Sequence, residues 1–208
     1  MTNSDPGIEI VIDYLSEFPE QFSTRKKKDR PDPLTSVGKA AIRQIMMKAK
    51  AKRLGKVEPK TIPDPAVSVI LNELYDLPIK DLERIKKEHQ YSMLAEDAVG
   101  ELLEDYIDDA SNQNDAGWVR AHGDVIRSVD FIKKDLSGWR LIQIKNRDNS
   151  ENSSSQSVRD GTKIEKWFRT RSRTGKTNWH NFPDKELGRH LSEDNFFRHI
   201  REYFSGNR

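Results

Sequence analysis

The chain has 208 residues, enough for one well-filled core and an appended lobe. Lys and Arg number 36 against 34 Asp and Glu, which excludes a lopsided, nonspecific nucleic-acid coat. Having no cysteine excludes disulfides and Cys-ligated zinc; no apolar run reaches membrane-span length and Met1–Pro6 lacks a signal-peptide pattern, so the expectation is a cytoplasmic protein.

A short amphipathic start is followed by Arg25-Lys-Lys-Lys-Asp-Arg-Pro-Asp-Pro33, which breaks regular structure. A helix is predicted over Thr35–Leu54, with Val37, Ala41, Ile45 and Met46 inward, Lys48, Lys50, Lys52 and Arg53 outward, and Gly55 as its cap. Its basic face reads as a solvated scaffold, with a phosphate-tracking arm as the sharper alternative. Asp64-Pro65 opens a helix through Tyr75, with Pro at its first position, and a further helix runs from near Ile79 to His89. Ser92 then caps a helix through Ile107, with Leu94, Ala98, Val99, Leu102, Tyr106 and Ile107 at helical spacing. Gly100 costs this helix about 1 kcal/mol relative to Ala, which predicts a close backbone approach there.

Trp118–Ile126 reads as a first strand. Val129–Asn146 reads as two strands around the polar turn Asp135-Leu136-Ser137-Gly138. Strand side chains alternate, so Gln143 and Lys145 share one face while Ile142 and Ile144 point into a core, and the hairpin brings Asp130 beside them. A carboxylate, an amide oxygen and a lysine converging at a sheet edge suit a hard cation and a scissile phosphate. Asp124 is the rival ligand to Asp130, and His122 reads as a structural residue with general base as its alternative. The bland reading of the hairpin is an exposed Asp130–Lys145 ion pair.

Beyond Lys145 the chain turns to Asn, Ser, Asp and Arg up to a predicted helix that starts near Gly161 and contains Ile164, Trp167 and Phe168. Arg, Asn and Asp are the side chains that read base edges, and hydroxyls and lysines take phosphates. Arg159–Lys176 is strongly basic, as is Lys39–Lys60, while Glu96–Asp115 is acidic. Thr174-Gly-Lys-Thr177 falls short of a phosphate-binding loop because Thr170 stands where Gly is required, so no nucleotide cofactor is expected. Ser192 caps a last helix whose Phe196, Phe197, Ile200, Tyr203 and Phe204 are expected in core or dimer packing.

Asp130 with Gln143-x-Lys145 resembles the Asp…(Asp/Glu)-x-Lys signature of the PD-(D/E)xK nucleases. Gln143 stands where that family has an acid and no Pro precedes Asp130. Two readings stay open: a natural ligand variant, or an inactivating replacement. Val99-Gly100-x-Leu102-Leu103-Glu104 resembles the first core helix of the MutH/Sau3AI branch, which implies Glu104 as the helix acid, with Glu101 and Glu96 as alternatives. Gln143 through Arg169 resembles the SinI-type restriction endonucleases, over about Leu94–Asn181 with the N-terminal third outside.

The resemblance implies an α/β, restriction-endonuclease-like mixed sheet flanked by helices, with a helical N-terminal addition. Residues 1–90 would form that addition, in the same domain or apart, and 91–208 the nuclease core with its recognition segment. It implies Mg²⁺-dependent cleavage of both strands of double-stranded DNA at a palindrome of the GGWCC type by a homodimer. Asp130, Gln143 and Glu104 would hold the metal and Lys145 would serve the phosphate. Arg147, Asp148, Asn149 and Asn152 would face bases, Asn146 would join them in contacting DNA, and Arg159, Lys163 and Lys166 would clamp phosphates. The rival functions are a monomeric nicking or repair endonuclease, and a DNA-binding protein that has lost catalysis.

Overall fold

The computed structural model describes residues 5–23, 31–148 and 163–206. By contact density the chain divides into two units, one of residues 1–52 and 102–208, the other of 53–101.

In the first unit, Asp5 caps α1 (Pro6–Glu17) through its carboxylate and Thr35 caps α2 (Ser36–Lys50) through its hydroxyl. Arg43 clamps Glu9 with two hydrogen bonds of 2.8 and 2.9 Å, tying the two helices together. The inward face of α2 is Gly38, Ile42 and Met46; of the predicted Val37, Ala41, Ile45 and Met46 only Met46 is buried, and Val37 is exposed. The reason is at Gly38, where a Cβ would lie 1.8 Å from the Asp32 carbonyl oxygen. The loop crosses the helix there and only glycine admits it, which rotates the buried stripe by one residue. The helix ends at Lys50, short of the predicted Gly55 cap.

Among the described residues the strands form one four-stranded sheet in the order β1 (Val119–Arg120), β2 (Phe131–Asp135), β3 (Gly138–Arg147), β4 (Ile164–Thr170). The first two pairings are antiparallel and β3–β4 is parallel, which makes the sheet mixed, as expected. The predicted first strand keeps only its two-residue core, with Ile126 bridging to Phe22 instead. The predicted helix over Ile164–Phe168 is β4. Ile164 and Trp167 are both buried, three residues apart, because this strand is covered on both faces. That spacing imitates one face of a helix.

One sheet face, bearing Ile132, Leu141 and Ile164, packs with Ile8, Val11, Leu15, Ile42 and Met46 of α1 and α2. On the other face Trp167, the register partner of Ile144, meets Trp179 and Phe182 at ring-centroid distances of 5.2 Å. Tyr106 of α4 (Ile79–Gln113) extends this aromatic cluster to Trp179 and Phe196. A short helix, α5 (Lys185–Gly188), is capped by Asp184, and α6 (Glu193–Ser205) by Ser192 as predicted.

The second unit contains α3 (Pro65–Tyr75), capped by Asp64, and the first part of α4. The two helices predicted over 79–89 and 92–107 are one, and Ser92 lies inside it. A Cβ at Gly100 would meet nothing within 4 Å among the described residues, so the predicted close approach does not occur.

Candidate active site

Asp135 shapes the hairpin turn by accepting from the Ser137 amide at 2.8 Å and hydroxyl at 2.6 Å, and Gly138 takes a φ of 114° that L side chains avoid. The β2–β3 ladder then runs from Asp135↔Gly138 to Phe131↔Ile142. Asp130 lies one residue beyond that ladder yet remains bound to β3. Its amide donates to the Ile142 carbonyl at 2.9 Å, and its carboxylate accepts from the Ile144 amide at 2.6 Å. These two bonds straddle Gln143 and bring the predicted acid to it. The predicted burial of Ile142 and Ile144 also holds.

Gln143 and Lys145 share a face of β3, and the parallel register sets Lys166 of β4 opposite Gln143. The same face is apolar one step earlier, at Leu141 paired with Ile164, and turns polar as it leaves the core formed with α1 and α2. Gln143 is only 3% exposed, and its Oε1 has no hydrogen-bond partner among the described residues. An unsatisfied buried carbonyl costs about 1–3 kcal/mol, and its persistence calls for a role.

Burial dominates the electrostatics of Asp130 and pushes its carboxyl up to about 6. The Ile144 amide, Lys145 and Arg120 pull the other way, while the charge of Asp124 adds to the rise. Asp124 is therefore close enough to act on Asp130, and it holds a left-handed backbone with φ 53°. Lys145 contributes the opposite charge, as the sequence expectation required.

Glu104 is engaged by Arg120, whose Nε and Nη2 donate to its Oε2 at 3.2 and 2.9 Å. Arg120 is 6% exposed and also lies 3.7 Å from Asp105. Its neighbour Ala121 donates to the Asp130 carbonyl at 2.8 Å. Arg120, to which the sequence reading gave no role, thus pairs with Glu104 and adds a small charge effect at Asp130. An arginine inside the apolar run Trp118-Val119-Arg120-Ala121 was the signal, since a buried guanidinium requires acids facing it. Glu96 and Glu101 belong to the second unit. His122, 9% exposed, has Nε2 at 3.6 Å from Asp108, so an acid faces it.

Past Lys145 the candidate base readers divide. Asn146 accepts at Oδ1 from Arg169 at 2.9 and 3.0 Å, and Arg169 also pairs with Glu193. Asp148 accepts from the Ser172 amide at 2.8 Å, fastening the end of β3 to the turn after β4. Arg147, opposite Thr170, is exposed, as is Lys163 just before β4. Asn149, Asn152 and Arg159 lie outside the described residues.

The donors fit a hard divalent cation. The Asp130 carboxylate, just before β2, and the Gln143 Oε1, without a hydrogen-bond partner among the described residues, could supply oxygen ligands, and Asp124 adds negative charge nearby. No group of three or more His, Cys, Asp and Glu side chains capable of holding a metal occurs among the described residues. Mg²⁺ does not demand one: it keeps several waters and is commonly held by one or two carboxylates with substrate phosphates. No helix among the described residues is long and apolar enough to cross a membrane.

The SinI restriction endonuclease family matches residues 5–206. The match takes in the N-terminal third, which the sequence resemblance had set outside. The chain is 42% identical to the type II restriction enzyme SinI of Salmonella infantis, over 98% of this chain and 90% of that protein. It is 41% identical to the type II restriction enzyme Eco47I of Escherichia coli, over 93% of this chain and 84% of that protein. With both faces of a mixed sheet covered by helices and an Asp…Gln-x-Lys hairpin at its centre, the chain belongs to the SinI restriction endonuclease family, a family of type II, site-specific deoxyribonucleases.

Proposed function

We propose that the chain is a Mg²⁺-dependent endonuclease that cuts both strands of double-stranded DNA at a short palindrome of the GGWCC type, acting as a homodimer. The observation that carries the reading is the buried Oε1 of Gln143, without a hydrogen-bond partner among the described residues, between the two bonds that anchor Asp130 to β3.

Asp130 and Gln143 would hold Mg²⁺, with Glu104 acting on the site through Arg120. When bound, the ion polarises the scissile phosphate and acidifies the attacking water. The Asp130 carboxylate, held in place by the Ile144 amide, presents its second oxygen without reorganisation. Lys145, two positions beyond Gln143 on the same face, sets its ammonium against the charge that grows on the phosphate oxygens. Lys166 and Lys163 on and before β4 steady flanking phosphates, and Arg147 and Asp148 stand at the end of β3 where a groove would pass. A two-fold target requires two such sites related by a two-fold axis, one for each strand.

Incubating supercoiled plasmid with the protein in Mg²⁺, with an EDTA control, and sequencing the fragment ends tests this directly. The proposal expects linear fragments with identical ends and none in EDTA. Site-specific binding in Ca²⁺ with no cutting in Mg²⁺ or Mn²⁺ would instead support the DNA-binding reading, which the neutral Gln143 makes specific. Nicks confined to one strand would support the monomeric one.

A further inference from the structure

Beyond β4 the chain reads Arg171-Ser-Arg-Thr-Gly-Lys-Thr177, three cations with no acid among them. Its backbone closes on itself. The Arg171 amide donates to the Lys176 carbonyl at 2.9 Å, the Gly175 amide donates to the Arg171 carbonyl at 2.8 Å, and Thr170 bridges to Thr177. Gly175 takes a φ of 66°, the left-handed conformation that lets the turn close. The turn is also fastened to the end of β3. There the Asp148 amide donates to the Thr170 carbonyl at 3.2 Å, and the Asp148 carboxylate accepts from the Ser172 amide at 2.8 Å.

The register decides which face this turn serves. Lys145 stands opposite Phe168 across the parallel ladder, so both lie on the face that carries Gln143 and Lys166. Phe168 is half-buried, and the Arg171 guanidinium lies over its ring, 5.6 Å from the centroid. Adjacent strands are about 4.8 Å apart, so the guanidinium stands on the order of 10 Å from the Lys145 strand, comparable with the roughly 12 Å width of a major groove. Arg169, two residues earlier, is held by Asn146 and Glu193. Among the described residues no carboxylate pairs with Arg171.

We propose that Arg171 is a specificity-determining residue that reads a guanine beside the cut phosphate; the inference rests on Lys145 serving that phosphate. A guanidinium laid on an aromatic ring is fixed in plane and presents its N–H edge, the fork that matches guanine O6 and N7. A phosphate clamp needs charge alone, which a mobile lysine supplies. Stacking on Phe168 and a turn tied to Asp148 instead remove freedom before DNA arrives, the preorganisation that directional recognition rewards.

The test measures binding in Ca²⁺ to duplexes carrying the sequence that wild type selects from a random pool. Guanines are replaced one at a time by 7-deazaguanine, which lacks the N7 acceptor. Wild type should be weakened most at one guanine and its symmetry mate. Arg171→Ala should bind the unmodified duplex about 10- to 100-fold more weakly and be indifferent to the replacement at that guanine. Arg171→Lys keeps the charge and loses the fork, so it should show the same indifference with the wild-type salt slope. Phe168→Leu, with an unchanged circular dichroism spectrum, should lose discrimination at that base pair and at no other. Equal losses on every duplex, with a salt slope flatter by about one, would make Arg171 a phosphate clamp and overturn the inference. So would an Arg171→Ala protein that keeps the full 7-deazaguanine penalty, or a wild type that selects no sequence. The metal-site reading fails separately. Normal plasmid cutting by Asp130→Ala and Lys145→Ala would sink it, whereas an Arg171→Ala protein with every base preference intact leaves it standing.

Discussion

Replacing Gln143 by Met should stabilise the fold and abolish cleavage together. The side chain is 3% exposed and its carbonyl oxygen has no hydrogen-bond partner among the described residues. Removing a buried, unsatisfied acceptor recovers about 1–3 kcal/mol. Met has nearly the length of Gln, is unbranched and fills the same space, so little packing is lost. Setting an ordinary hydrogen bond of the amide nitrogen, about 0.5–1.5 kcal/mol, against this gain leaves about 1 kcal/mol net. For a chain of this size that raises Tm by about 2–4 °C. Calorimetry in EDTA reads the gain. Repeating the scan in Ca²⁺ reads the other half: wild type should gain further stability by binding the ion, and Gln143→Met should gain much less. Gln143→Glu should behave oppositely, losing stability in EDTA by placing a second carboxylate beside Asp130 while retaining measurable cleavage. If Gln143→Met instead melts lower in EDTA and keeps the full Ca²⁺ response, the oxygen is not a ligand and the reasoning fails.

Asp184 offers a test of stability alone. Burial acts to raise its carboxyl, but hydrogen bonds from the Trp118 indole, the Leu187 amide and Lys133 outweigh it and bring it to about 2. A depressed folded-state pKa contributes stability present above about pH 4 and lost as pH falls toward 2, so urea midpoints should drop across that window. Asp184→Ala should flatten that dependence and cost about 2–4 kcal/mol, because it strands Lys133 and the α5 cap. The sign reverses at Asp130. Its carboxyl is raised to about 6, chiefly by burial, so the proton competes with the cation, and Ca²⁺ affinity measured by calorimetric titration should weaken roughly tenfold per pH unit below that value. In recognition, Arg147→Ala should cost about 1–3 kcal/mol on the true site and relax one base pair, whereas Lys163→Ala should weaken every duplex alike and flatten the salt slope by about one. Uniform losses in both would remove Arg147 from base reading.

The hairpin was legible because its signals are local. β-Branched residues alternate, Asp135 and Ser137 make the turn, and Gly138 takes the conformation that closes it. The caps at Asp64 and Ser192 were legible for the same reason. What escaped depended on distant neighbours. The spacing of Ile164 and Trp167 suits a helix until β3 on one side and two packed faces are known. Ser92 has the right chemistry for a cap, but nothing stops the preceding helix before it. Arg120 became significant only when Glu104 and Asp105, across from it on α4, were in place. Asn146 illustrates the same point, since composition alone could not show that Arg169 occupies its carbonyl oxygen.

In the proposed reaction Asp130 and Lys145 act with Gln143 as one centre. The direct measurement is plasmid cleavage in Mg²⁺ by wild type, Asp130→Ala, Lys145→Ala and Asp124→Ala, together with binding to the same DNA in Ca²⁺. Wild type should linearise the plasmid, Asp130→Ala and Lys145→Ala should leave it uncut, and Lys145→Ala should still bind in Ca²⁺. Normal cutting by Asp130→Ala, with Asp124→Ala inert, would contradict the assignment.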